Sequence, residues 1–102
     1  MSGRVKTTQP SPSALATPSV AQSSVQIAGP NPSRAGLYVF NPHGTATLWI
    51  APTGTVAAAN GAGSVAVQPL QGMLFIDQPY INGLNAVYDT GTNPVTVWEF
   101  YE

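Results

Sequence analysis

The sequence predicts an all-β protein, an antiparallel β-sandwich or small jelly roll of about eight short strands with an extended N-terminal arm. Three observations lead there. After residue 22, short apolar or alternating runs recur, with turn signals roughly every 10 residues. Ten glycines and ten prolines fall mostly at the breaks between those runs. No run sustains the periodicity of a helix.

The expected division is an arm over residues 1–22 and a sandwich domain over 23–102. The arm carries Pro10, Pro12 and Pro18, many Ser and Thr, and only Val5, Leu15 and Val20 as larger aliphatics. Alone, such a segment buries too little apolar surface to offset the entropy of ordering it, so it is expected to order against neighbouring subunits. Val25 and Ile27 alternate with polar or small residues as a short strand, closed by Gly29-Pro30-Asn31-Pro32-Ser33.

The stretch from Arg34 to Gly54 best defines the domain. Leu37–Phe40 is apolar throughout, so both faces of that strand should be covered. In Thr45–Ala51, Ala46, Leu48 and Ile50 form an inner face and Trp49 points away from it. Between the two runs lies Asn41-Pro42-His43-Gly44, read as the turn of a hairpin. Thr55–Ala59 and Ser64–Gln68 are expected as a second hairpin around Asn60-Gly61, because Asn-Gly supports positive φ cheaply. Met73–Ile76, Leu84–Tyr88 and Val95–Tyr101 follow as strands separated by Gly-, Asn- and Pro-containing turns.

Composition bounds the function. The 102 residues include seven Asp, Glu, Lys and Arg, 7% of the chain, against roughly 25% in ordinary soluble domains. A surface so poor in charge has little electrostatic protection against association and suits a protein built into an assembly. Arg4 and Lys6 make the first 22 residues +2, while Arg34, Asp77, Asp89, Glu99 and Glu102 make the remainder −3. A faintly basic arm on a faintly acidic body favours docking of the arm on a neighbour. Two cations are too few for nucleic-acid binding, which draws on several phosphate contacts. No apolar run reaches the length that crosses a bilayer, and Thr7–Ser13 cannot serve as the apolar middle of a signal peptide. Without cysteine there is no thiol chemistry.

No catalytic signature is present, and neither cofactor nor metal is expected. His43, the single histidine, sits in a turn, where an inert imidazole is the default, and no Gly-x-Ser-x-Gly elbow accompanies it. Asp77 and Asp89 each follow a strand and precede a turn, a position suited to strand-end hydrogen bonding. Gly61-x-Gly63-Ser64 lacks the Lys and helix of a phosphate cradle. The aromatics carry more information. With Tyr38 and Phe40 read on the strand neighbouring Trp49, these three form the expected subunit contact. Sugar stacking on Trp49 or Trp98 is the alternative. Arg34 would by default form an ion pair with Asp or Glu, and its functional reading is an intersubunit salt bridge. The expected interface set is thus Arg4, Lys6, Arg34, Tyr38, Phe40 and Trp49.

The run from Arg34 to Gly54, the Asn-Gly-Ala-Gly-Ser-Val-Ala-Val of residues 60–67 and the Thr-Val-Trp-Glu-Phe of residues 96–100 resemble small β-sandwich proteins of tailed bacteriophages and prophages. The resemblance spans about Ser33 to Phe100 and rests on strand and turn residues. It implies a non-enzymatic virion component: a head decoration (cement) protein, or a neck, tail or fibre accessory. The partners it implies are the major capsid protein or other virion proteins and further copies of the chain, with no nucleic acid and no membrane. The implied location is the virion, most directly the capsid surface.

Overall fold

The computed structural model describes residues 12–32, 34–76 and 83–101, and these form an all-β sandwich. The strands are β1 (Pro12–Ala16), β2 (Ser19–Val20), β3 (Val25–Ala28), β4 (Arg34–Phe40) and β5 (Leu48–Pro52), then β6 (Val65–Val67), β7 (Gly72–Ile76), β8 (Leu84–Tyr88), β9 (Asn93–Pro94) and β10 (Thr96–Tyr101). One sheet has the order β1-β10-β4-β7 and the other β3-β8-β5-β6, while β2 and β9 make a short ribbon. Every ladder is antiparallel.

The pairing follows one rule. β1 pairs β10, β2 pairs β9, β3 pairs β8, β4 pairs β7 and β5 pairs β6. The described chain is therefore one long antiparallel ribbon doubled back at the β5–β6 loop. The ribbon is rolled so that β4 also meets β10 and β5 also meets β8. That path is a jelly roll, the more specific of the two predicted folds.

The core lies between the two sheets and follows the period-2 alternation of their strands. Leu37 and Val39 of β4 and Val97 of β10 meet Ile27, Leu48, Ile50, Val67, Leu84, Ala86 and Tyr88 from the opposite sheet. Met73 and Phe75 of β7 close one side. As predicted, Ala46, Leu48 and Ile50 point inward, each at most 2% exposed.

Three expectations are corrected. Leu37–Phe40 and the Trp49 strand are not a hairpin, since β4 and β5 belong to different sheets. Asn41-Pro42-His43-Gly44 starts a corner crossing between the sheets. Thr55–Ala59 is not a strand: its small residues belong to the loop joining β5 to β6, with a turn closed by the Gly61 amide on Ala58 O at 2.9 Å and Asn60 at φ 55°. The boundary expected after residue 22 lies inside the ribbon, whose first strands are β1 and β2. This polar stretch orders because β10 and β9 supply ladder partners and Val20 is fully buried. Arg4 and Lys6, along with Asp77 and Tyr80, lie outside the described residues.

At a second corner, Gly83 (φ +85°) sits where a Cβ would strike the Ala28 carbonyl oxygen and come within 2.9 Å of the Gly29 carbonyl carbon. Both the dihedral and the contact exclude a side chain. Gly83→Ala is expected to cost about 2 kcal/mol, lowering the melting temperature by roughly 10 °C. Gly44→Ala, at a position with open space around it, is the neutral control. Calorimetry of the two variants checks this.

Candidate functional site

Two places gather side chains of chemical interest: a buried polar cluster at one corner of the roll, and the outer face of the β1-β10-β4-β7 sheet.

The cluster centres on Asn41, which is fully buried. Its amide nitrogen donates to Ala46 O at 2.8 Å and Val67 O at 3.0 Å. Its side-chain oxygen accepts from the His43 amide at 3.0 Å and from the Tyr88 hydroxyl at 2.7 Å. The Asn41 main chain bonds Gln71 O and the Leu70 amide, each at 2.9 Å. Leu70 itself is held at φ 60°, a left-handed conformation unusual for a branched apolar residue. His43 Nδ1 accepts from the amides of Thr45 and Ala46 at 3.1 and 2.9 Å, so this nitrogen carries no hydrogen. The imidazole thus holds a turn together. Asp89 has the strand-end role read from sequence, accepting the Thr47 amide at 3.1 Å.

The Tyr88 hydroxyl also lies 3.1 Å from Pro94 O, so its single hydrogen is shared between that carbonyl and the nearer Asn41 oxygen. Burial pushes its phenol up from 10.0 to about 12, because the phenolate loses its water. Among the described residues no group of three His, Cys, Asp or Glu gathers to hold a metal. An apolar cleft of about 60 Å³ opens between Ile50, Pro52, Val65, Met73, Phe75 and Leu84, well below the few hundred Å³ typical of a small-molecule site.

The outer face of the β1-β10-β4-β7 sheet has a different character. Register places Leu15 opposite Trp98, Trp98 opposite Tyr38 and Tyr38 opposite Leu74, forming one continuous row across four strands. Leu15 is 65%, Leu74 52% and Trp98 38% exposed. Tyr38 and Trp98 touch with ring centroids 5.6 Å apart and planes tilted by 48°. Phe40 stacks beside Tyr38 at 6.4 Å, and Phe100 meets Trp98 edge-on at 6.4 Å. Gly72 makes room for Tyr38, whose ring occupies the space a Cβ there would need. No charged residue holds an outward position on these four strands.

The expected interface residues are thus separated. Tyr38 and Phe40 lie on this face, joined by Trp98, Phe100, Leu15 and Leu74. The alternation of Thr96, Trp98 and Phe100 against Val95 and Val97 marks β10's two residues in the sequence, whereas Leu15 and Leu74 depend on tertiary pairing. Trp49, read as neighbouring Tyr38, lies on the outer face of the other sheet. There it packs half-buried with Ala51, Val87 and Ala57 of the β5–β6 loop, and its buried Nε1 finds no acceptor among the described residues. Arg34 is buried and pairs within the chain, its Nη2 3.0 Å and Nε 3.2 Å from Glu99 Oε1, with Nη2 also donating to Gly29 O. The intrachain ion pair holds, and the guanidinium is not presented to another subunit.

No family model matches the chain, and comparisons with curated proteins and with solved structures likewise return no significant match.

Asn41→Ala is expected to cost about 3–5 kcal/mol, because four partners lose their bonds in a buried setting. Tyr88→Phe should cost about 1–2 kcal/mol. The native phenol pKa lies above its unfolded value, so this contribution is complete below pH 10 and is lost as pH rises towards 12. Urea titrations of both proteins should therefore show the wild-type advantage constant up to pH 10 and narrowing from there to pH 12. A constant difference throughout would mean that Tyr88 ionises alike folded and unfolded.

Proposed function

We propose that this chain is a non-enzymatic structural component of a tailed-bacteriophage particle, a decoration (cement) protein bridging neighbouring capsid subunits. The observation that carries the reading is the outer aromatic face: a jelly-roll domain leaves a charge-free apolar row open, as suits a module covered in its working state. The low overall charge and the resemblance of the Arg34–Gly54 and Thr96–Phe100 segments to phage β-sandwich proteins support it.

In this reading the domain sits on the outside of the shell, and its aromatic face packs between subunits. Arg4 and Lys6, the two cations of the first 11 residues, supply charge for contact with a capsid subunit. The mechanism is additive burial at about 25 cal/mol per Å² of apolar surface removed from water. Repetition over a closed shell turns modest contacts into resistance to internal pressure. A neck, tail or fibre component would use the same surface at a different address. The sugar-binding reading is weaker, because Trp98 is tilted 48° from Tyr38 and 72° from Phe100 and so shares a stacking plane with neither neighbour. Among the described side chains of β10, the polar groups on the outward side are the Thr96 hydroxyl and the Trp98 indole N–H.

Because β1 is integral to the sheet, the informative truncation removes residues 1–11 and spares Pro12 onward. Purified capsids stripped of this protein should bind the full chain to saturation and bind the truncated chain at least tenfold more weakly. Equal occupancy by both would overturn the assigned role of the segment. Failure of the full chain to bind any capsid, together with an axial position in micrographs of intact particles, would move it to the neck or tail.

A further inference from the structure

The aromatic face has an internal symmetry that bears on what covers it. With the Leu15–Trp98–Tyr38–Leu74 row drawn horizontally, Phe40 stands on β4 to one side of it and Phe100 on β10 to the other. The remaining two corners are small: Thr96 lies opposite Phe40, and Gly36 opposite Phe100. Half a turn about the sheet normal exchanges Leu15 with Leu74, Trp98 with Tyr38 and Phe40 with Phe100. The patch thus has bulk on one diagonal and little on the other.

Two copies laid face to face by a two-fold are related by an axis lying in the interface plane. If that axis runs along the strands, Phe40 of one copy falls over Thr96 of the other, Phe100 over Gly36, and Trp98 over Tyr38. If it runs along the row, Phe40 falls over Gly36 and Phe100 over Thr96. Either way the bulky diagonal meets the small one, the self-complementarity an isologous contact requires. Charge points to the same occupant. A partner bringing charged groups would bury them unpaired against this face, at high cost, whereas a second copy brings none. The strands of the two sheets would lie nearly aligned, as in face-to-face sheet packing.

We propose that the outer face of the β1-β10-β4-β7 sheet is a homodimer surface, closed on a second copy of this chain by a two-fold axis in the plane of the contact. This names the partner at the face assigned to subunit packing above and rests on that assignment, but it requires no particle. Four strands about 4.8 Å apart and about five residues long give a footprint of roughly 19 × 17 Å. That is small beside the ~800 Å² of accessible surface per partner in a standard interface. The dimer is therefore weak and concentration-dependent, and a capsid lattice holding copies side by side would strengthen it by effective concentration.

Sedimentation velocity of the full chain should show monomer at about 1 μM and dimer at several hundred μM, the range of a small interface. Leu74→Ser and Leu15→Ser change exposed positions and keep the fold, and each should raise the dissociation constant at least tenfold, with Trp98→Ser as strong or stronger. Removal of residues 1–11 should leave the dimer intact. Because the chain has no cysteine, substitution also reads the geometry under mild oxidation. Leu15→Cys chains that link to Leu74→Cys chains place the axis along the strands; Leu15→Cys chains that link to one another place it along the row. Either result supports the face-to-face dimer. A chain that stays monomeric at all concentrations overturns it, as does a dimer indifferent to all three serine substitutions or lost with residues 1–11. A face that stays monomeric yet binds glycans on an array would have sugar as its occupant instead. Capsid binding is measured separately, so a monomer that still decorates capsids sinks the dimer alone, and a dimer that ignores capsids sinks the particle reading alone.

Discussion

The hydrogen bond between Asn41 and Tyr88 is the constraint around which this roll is arranged. A ribbon folded from one sheet into another must carry two connecting segments round the same corner, where neither has ladder partners. Here those segments are residues 41–47 and 68–71, and Asn41 bonds to both through its side chain and main chain. Tyr88 adds a third segment, since its hydroxyl donates to Asn41 and lies within reach of the carbonyl of Pro94 in β9, the two acceptors sharing its single hydrogen. Each side-chain bond on Asn41 is matched to one of its two donors or two lone pairs, so the buried amide is fully satisfied. A network so complete specifies one arrangement of corners, because any slip leaves several polar groups unpaired in a low-dielectric interior.

The other corners use different chemistry for the same purpose. Where β3 passes to β4, Arg34 ties Gly29 to Glu99 across the sheet. Where the first strands enter, the Tyr88 amide donates to Ala21 O at 2.8 Å and the Val95 amide to Pro18 O at 2.9 Å. These contacts hold a segment whose own composition gives no reason to fold.

What the sequence made legible was local: which runs are extended, which side of each faces inward, and where the chain breaks. The predicted span of Leu84–Tyr88 coincides with β8, and the alternation around Trp98 sorts β10 into its two faces. What it concealed was pairing. Asn-Pro-His-Gly announces that the chain turns, but not whether the next strand returns beside the last or crosses to another sheet. Asn41 reads as an ordinary turn residue because its main partner, Tyr88, is 47 positions away. The same limit placed Trp49 beside Tyr38: alternation turned it outward correctly, while only the topology shows that its sheet is the opposite one. β1 and β2 were hidden because their order comes from β10 and β9, not from their own apolar content.

The two outer faces of the sandwich are treated unequally, and the difference is informative. Over the β3-β8-β5-β6 sheet, the β5–β6 loop folds back to cover Trp49 and Val87, tied by the Ala57 amide to Ser24 Oγ and by Asn85 to Thr55 O. Nothing among the described residues does this for the β1-β10-β4-β7 sheet. Charge is kept away as well. On β4, Arg34 shares the parity of Gly36, Tyr38 and Phe40 and would by simple alternation stand at the end of the aromatic face. The register shift that sets Tyr101 opposite Arg34, while Phe100 faces Gly36, inserts Ala35 as an extra residue. Such a bulge re-aims the side chain beside it. Arg34 turns instead to Glu99, where it is buried. A cation at that edge would have hydrated the face and opposed its burial; the bulge removes the only basic residue the described strands carry.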